Sequence, residues 1–429
     1  MNDSRMRRRF LLCTVLAAAY LRAQPARLTL PEAEQRALKN HPRIGSATLR
    51  AQAAQEQVTQ ARSAYEPLVT GSLTGSAADH GSIMAAGTLQ TSSLYSRVAA
   101  GVSISQLVTD FGRTSKMTES ARLNATARAQ TAANTRAEIL VQVDLAYCQA
   151  LASEAVLRVS RAVVENRRLI LRQVKALAQS SLKSTLDVSF ADVAASDAEL
   201  ALVRAENDAA ASRARLVSAM GGTGTEEFEL TDLPLPADLP ADANAAVAHA
   251  VEQRPDLAAL KLDRTAAHRF ADAEGALSRP TVSLLGAAGA LPAGDPHLPG
   301  TYSAAAVNVS IPVWNGRLFS ARHTEAQLRA GALDRDVEDL SVRVSEQVRV
   351  AWLEANTALR RLTVTERLVG QAEQTLRLAQ VRYDSGLGSI VELNQAQVAQ
   401  VSAEIAAANA KYEFLSRRAG LAFVMGDLR

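Results

Sequence analysis

Apolar positions recur at helical spacing over two very long stretches of the chain. From about Thr114 to Gln179, and again from about Leu318 to Asp384, no proline interrupts a polar–apolar pattern. Each stretch holds roughly 65 residues, which as a helix spans about 100 Å. In the second, Leu362, Val369, Leu376 and Tyr383 follow one another at heptad spacing, and Leu368 and Leu378 widen the stripe. That spacing predicts left-handed coiled-coil packing. Shorter helical arms follow at 185–219 and 390–424, and segments 31–65 and 244–277 have the length to complete a bundle beside them. Helices this long do not fit inside a compact domain and predict a rod, a tube or a stalk.

Before each long helix the period changes to two. Strands are expected at about 68–78 and 95–108, and at about 281–290 and 302–313. Val307, Val309, Ile311 and Val313 alternate with Asn308, Ser310 and Pro312, while Val102 and Ile104 alternate with Ser103 and Ser105. Such alternation predicts strands with one apolar and one polar face. The segments between the paired strands, Ala78–Leu94 and Leu291–Gly300, are rich in Gly, Ser, Pro and Asp and read as exposed loops. Four strands leave open edges, and in hydrocarbon an unpaired peptide group costs several kcal/mol. If these strands enter a membrane, chains must associate to close a barrel. The alternative is a small soluble sheet covered by helices.

The chain also repeats its plan. ALKNHPRI at 37–44 has a counterpart in AVEQRPDL at 250–257, and the strand pairs end in Gly112-Arg113 and Gly316-Arg317. SSLKSTLDVSFADV at 180–193 matches SGLGSIVELNQAQV at 385–398 at nearly the same offset. The expected organisation is a first repeat over 24–221, a linker or equatorial segment over 222–242, and a second repeat over 243–429. In the second break, Gly386 offers a left-handed helix cap, and Ser389 with Glu392 has capping-box spacing. Ser184 and Asp187 have the same spacing in the first break. Asp187 and Glu392 therefore have a local reading, as stabilisers of positive helix ends. In a tube of several chains they would instead repeat as a ring of carboxylates that attracts cations.

Composition adds limits. Only 4% of the 429 residues are aromatic, which suits closely packed helices better than a ligand-binding sandwich. Polar residues break every long apolar run after residue 21, so no helical membrane span is expected. Residues 1–23 read as a secretory signal peptide, with Arg5, Arg7, Arg8 and Arg9 ahead of the apolar run Phe10–Leu21. A buried or anchoring helix is the alternative there. These residues and Arg22 carry more positive charge than the whole formal net charge of +3. The basic balance is thus a targeting feature and argues little for nucleic acid. Past this prefix only Cys148 remains, within a helical pattern, and a packing role is expected.

Enzyme chemistry finds no anchor. The six histidines, His41, His80, His249, His268, His297 and His323, are scattered. No HExxH, CxxC or P-loop is present. Asp110-Phe111-Gly112 is kinase-like only in spelling, since the Gly-rich and catalytic loops are missing. No cofactor is expected.

Taken in order, the signal peptide, duplicated halves, strand pairs, Gly-Arg strand exits and helix-turn motifs resemble the TolC-like outer-membrane efflux family. The resemblance covers essentially the whole chain after residue 23. It implies an α/β membrane channel of two structural repeats per chain. Three chains would close a 12-stranded β-barrel in the Gram-negative outer membrane, continued by a long periplasmic α-helical barrel. It implies a passive exit duct of a tripartite efflux or type I secretion system, carrying small molecules, metals or proteins. Its implied partners are a homotrimer, outer-membrane lipid, a periplasmic adaptor, and an inner-membrane efflux pump or ABC transporter. Tyr383 would lie near the constricted periplasmic entrance with Asp187, Glu392 and Gln395, Glu392 matching an acidic position tied to cation selectivity. The adaptor would contact the turns through Ser181, Leu182, Lys183, Gly386, Leu387 and Gly388. Gly112, Arg113, Gly316 and Arg317 would mark the strand-to-helix junctions. Three positions depart from the pattern: Gly388 replaces a basic turn residue, Gln395 a second acid, and Ser181 a glycine. The contrasting reading is an extended periplasmic adaptor or structural coiled-coil protein. It would fractionate as a soluble periplasmic chain.

Overall fold

In a computed structural model the structure describes residues 26–77, 83–86, 89–93, 97–181, 183–224, 228–236, 239–294 and 299–428. The expected signal peptide at 1–23 lies outside them. The chain runs β1 (Ala26–Leu28), α1 (Leu30–Asn40), α2 (Pro42–Arg62), β2 (Leu68–Ser76), β3 (Ile83–Ala86), β4 (Leu89–Ser93) and β5 (Arg97–Thr109). The long α3 (Arg113–Gln179), α4 (Thr185–Ala219) and β6 (Phe228–Leu230) follow. Next come α5 (Ala243–Gln253), α6 (Pro255–Gly275), β7 (Thr281–Gly294), β8 (Thr301–Ser310), the long α7 (Leu318–Asp384) and α8 (Ile390–Met425). The two long helices have 67 residues each, and the helix pairs α1–α2 and α5–α6 match at 11 and 21 residues.

Two compact units each draw on both halves of the chain. One gathers Met1–Gly45, Thr135–Arg254 and Val344–Arg429; the other gathers Ser46–Asn134 and Pro255–Arg343.

The first unit is built around a parallel β1–β6 ladder. Its core joins Leu28, Ala37, Val143, Tyr147, Leu216 and Phe228. Tyr147 is fully buried, and its hydroxyl lies 2.8 Å from the carbonyls of both Leu28 and Thr231. It also accepts from the Thr231 N–H at 3.1 Å, so one phenol ties the short ladder to α3. Burial pushes Tyr147 up to about 12, so it stays a neutral donor. Gly221 and Gly426 close α4 and α8 with φ of 80° and 84°. A Cβ on Gly221 would stand 2.8 Å from His41 Cα, and one on Gly426 2.9 Å from the Gln253 carbonyl carbon. Each helix end therefore abuts the break within a helix pair, where only glycine fits. One stretch of α3 has the length and composition of a membrane span, but 67% of it is buried within the chain, as in a core helix.

The second unit holds a four-stranded antiparallel sheet of order β2-β5-β7-β8. Its helices pack through alanine, with Ala54 and Val58 of α2 against Ala125 of α3. Small side chains let helix axes approach closely. The sheet register sorts the side chains. Val69 faces Ile104, and Leu73 faces Ala100. Ile104 faces Gly286, and Val102 faces Ala288. Leu284 faces Val307, and Val282 faces Val309. Directly opposed residues share a face, so one face is apolar throughout this set. The other carries Thr70 against Ser103, Ser283 against Asn308, and Thr281 against Ser310. Val69, Leu73, Val102 and Val307 are all exposed in the single chain.

Three details differ from the sequence expectation, the first being that β7 runs on to Gly294, into the segment 291–300 read as an exposed loop. β3 and β4 form a hairpin inside the segment read as an exposed loop. β8 ends at Ser310 rather than Val313, because Pro312 has no N–H for a ladder.

Candidate functional site at the helical turns

Both helix-to-helix turns lie in the first unit. After α3, Ser181 takes φ 58°, a left-handed conformation that costs less for glycine. The turn closes on α4 through a reciprocal capping box. Asp187 Oδ2 accepts from the Ser184 backbone N–H at 3.0 Å and from its hydroxyl at 2.9 Å. The Ser184 hydroxyl accepts in turn from the Asp187 N–H at 3.1 Å. Asp187 thereby offsets the positive end of α4.

After α7 the chain reverses through Gly386, at φ 73°. The Arg382 carbonyl accepts from the N–H groups of Leu387 at 2.8 Å and Gly388 at 2.9 Å, so the last carbonyls are satisfied. The cap of α8 is only half of the expected box. Ser389 accepts from the Glu392 N–H at 3.1 Å, but the Glu392 carboxylate takes Arg382 Nε at 3.0 Å. Arg382 also donates to the Leu387 carbonyl at 3.3 Å. A charge-assisted bond displaces the weaker return bond to the backbone. A Cβ on Gly388 would lie 3.1 Å from Arg382 Cβ and 3.2 Å from Tyr383 N, so this turn is too tight there for an unadjusted side chain.

Tyr383 is 9% exposed and packs with Ala379, Leu393 and Ala396. Its hydroxyl is buried without a hydrogen-bond partner in the chain. Lys183 Nζ stands 3.9 Å from its ring centroid, a cation–π contact that joins the two turns. Lys183, expected among partner contacts, is thus engaged within the chain. Leu387 is 74% exposed at the tip, and Gln395 is exposed on α8. Leu182 lies outside the described residues. Arg382 was not singled out from the sequence, where an arginine on an exposed helix reads as solvated surface. Arg167 was also missed: it is buried in α3, donates to Gln397 of α8, and its pKa is lowered by burial.

The strand-to-helix junctions lie in the second unit. The first turns through Phe111 at φ 52° and Gly112 at φ 96°, the second through Gly316 at 61° and Arg317 at 70°. Asp110 caps α3, accepting from Thr114 N at 2.7 Å and Gly112 N at 3.2 Å. Trp314 stands at the corresponding place in the second half, 84% exposed. Arg113 reaches Glu274 at 4.0 Å, and Arg322 Nε reaches the same carboxylate at 2.7 Å. Glu274 is 2% exposed, so this is a buried charge held by two cations. It escaped the sequence reading because the three residues come from distant segments.

Among the described residues no group of three or more His, Cys, Asp or Glu is placed to hold a metal ion. The turns offer charges, an aromatic and an exposed apolar tip at Leu387, and the Ser184 hydroxyl is taken up by the Asp187 cap.

Comparison with known proteins gives a consistent result. The outer membrane efflux protein family matches residues 33–222 and 246–427. The chain is 25% identical over 392 residues to the outer membrane efflux protein BepC of Brucella suis, covering 90% of this chain and 82% of that protein. Among solved structures it is similar to the outer membrane protein VceC of Vibrio cholerae, with TM-score 0.79, 19% identity, and coverage of 92% of this chain and 96% of that one. It is similar as well to the open state of the MtrE outer membrane channel of Neisseria gonorrhoeae, with TM-score 0.76, 19% identity, and coverage of 92% and 88%. The chain belongs to the outer membrane efflux protein family, the TolC-like channels of the outer membrane whose helical part lies in the periplasm.

Proposed function

We propose that this channel is the passive exit duct of a tripartite efflux or type I secretion system. The observation that carries this is the sheet β2-β5-β7-β8, with an apolar face, a polar face and open edges at β2 and β8. In a bilayer such edges must be paired. Copies of the chain supply that pairing, β8 of one beside β2 of the next. Three copies, the number the family resemblance implies, give twelve strands. The apolar face then meets lipid and the polar face lines the lumen, as transmembrane barrels require. Each chain contributes two repeats, 24–221 and 243–429, about the segment 222–242; the equal lengths of their helices support this division.

In this reading Gly112, Arg113, Gly316 and Arg317 turn the chain at the barrel rim. Tyr383, Asp187, Glu392 and Gln395 line or brace the periplasmic entrance. A periplasmic adaptor docks on the turns at 180–186 and 385–391, and an inner-membrane pump or ABC transporter supplies the energy. Native mass spectrometry of detergent-extracted protein tests the assembly. A mass of three chains is expected, and a lone chain that stays folded and dispersed without detergent would contradict it.

A further inference from the structure

The first unit contains a cavity of about 580 Å³ that the exit-duct reading leaves unused. Its walls are mainly apolar: Leu30 of α1, Leu233 and Pro236 beyond β6, and Leu421 and Met425 of α8. Asp144 of α3 enters this lining. It is 5% exposed, and its Oδ1 has no hydrogen-bond partner. A buried carboxylate oxygen without a donor is costly and calls for an explanation. The group acting on Asp144 is another carboxylate, Glu34 of α1, through its charge and a side-chain hydrogen bond, and it lines the same cavity. Burial and Glu34 together push Asp144 up to about 8. Cys148, Arg418 and Asp427 complete the polar lining. Burial pushes the Cys148 thiol up to about 11, so it stays neutral. Asp427 is engaged with His249 at 2.7 Å.

The one cation of the lining, Arg418, does not reach Asp144 Oδ1, and what this part of the cavity lacks is a positively charged donor for that oxygen with an apolar body behind it. An ammonium group has N–H donors and no acceptor, and the volume is that of a small-molecule site. We propose that this cavity binds a small amphiphilic ammonium compound, its N–H groups on Asp144 Oδ1 and Glu34 and its apolar body against Leu30, Leu233 and Met425. Binding the cation favours the ionised carboxylate, so Asp144 releases its proton to solvent as the ligand enters. The site is separate from the helical turns and does not rest on the exit-duct reading.

Monodansylcadaverine, a fluorescent primary ammonium with an aromatic body, is the probe, titrated into full-length protein in lipid nanodiscs with protein-free discs subtracted. Its N-acetylated analogue keeps the body and loses the charge. The expected result is saturable binding of the amine and not of the analogue. Affinity is expected to rise about tenfold from pH 7 to pH 9, as Asp144 ionises. Asp144→Asn is expected to lower affinity at pH 9 at least tenfold and to abolish the pH dependence. Glu34→Gln is expected to shift the pH profile to lower pH, and it decides the matter if Asp144→Asn does not fold. Equal binding of the analogue, no saturable binding, or an unchanged profile in these variants would overturn the proposal.

Discussion

Asp144 sets a pH dependence within the first unit. Its folded pKa of about 8 lies far above the ordinary carboxylate range. Between about pH 4 and pH 8 the folded chain therefore holds a proton that the unfolded chain releases, and stability falls as pH rises through that window. The limiting slope is about 1.4 kcal/mol per pH unit. Asp144→Asn is expected to flatten the decline of Tm between pH 6 and pH 8; an identical decline in the variant would show that the group is not held protonated. Glu392 is a different case. Its pair with Arg382 is half exposed, and such pairs contribute about 0–1 kcal/mol. Glu392→Gln should leave Tm nearly unchanged yet lower cation selectivity, read from the reversal potential across a KCl gradient. Unchanged selectivity would remove Glu392 from the conducting entrance. At this scale the sequence singles out Tyr383 through its heptad and Asp187 through its spacing from Ser184. It conceals Arg382, because only the folded turn brings that guanidinium to Glu392. It conceals Asp144 too, since one acid inside an apolar helical stripe does not reveal which neighbour shares its surroundings.

The elements divide into those visible as patterns and those created by pairing. Val307 and Val309 alternate with Asn308 and Ser310 in plain view, and the heptads of α7 need no partner to be recognised. The hairpin of β3 and β4 was not legible, because its strands have 4 and 5 residues in a segment rich in turn formers. The mainly apolar face of the sheet was only partly legible, since glycine and alanine on β5 and β7 blur the alternation; the register supplies it, and also sets Gln106 and Ser303 on that face. That face allows a paired test. Val102→Asp places a charge on the apolar face, and Ser103→Asp one on the polar face. A lipid-facing charge at the bilayer midplane costs roughly 2–4 kcal/mol for basic residues and less for Asp, and a lumenal one little. Heat-stable, membrane-inserted protein is expected to fall sharply for Val102→Asp and to persist for Ser103→Asp. The reverse order would mean that the faces are assigned the wrong way round.

The sheet of the second unit has edges at β2 and β8 that pair with no further strand among the described residues, and the two long helices of the chain have 67 residues each. In the proposed duct this sheet closes a barrel only by pairing with further copies of the chain. Edge strands and helix length were readable from the sequence; the number of copies was not, because closure depends on strand tilt and shear between chains. The most direct test of the central claim is single-channel conductance of the purified protein in a planar lipid bilayer. The account predicts discrete, stable conductance steps that multivalent cations block or reshape at the acidic turns. Correctly folded protein that never inserts and never conducts would contradict it.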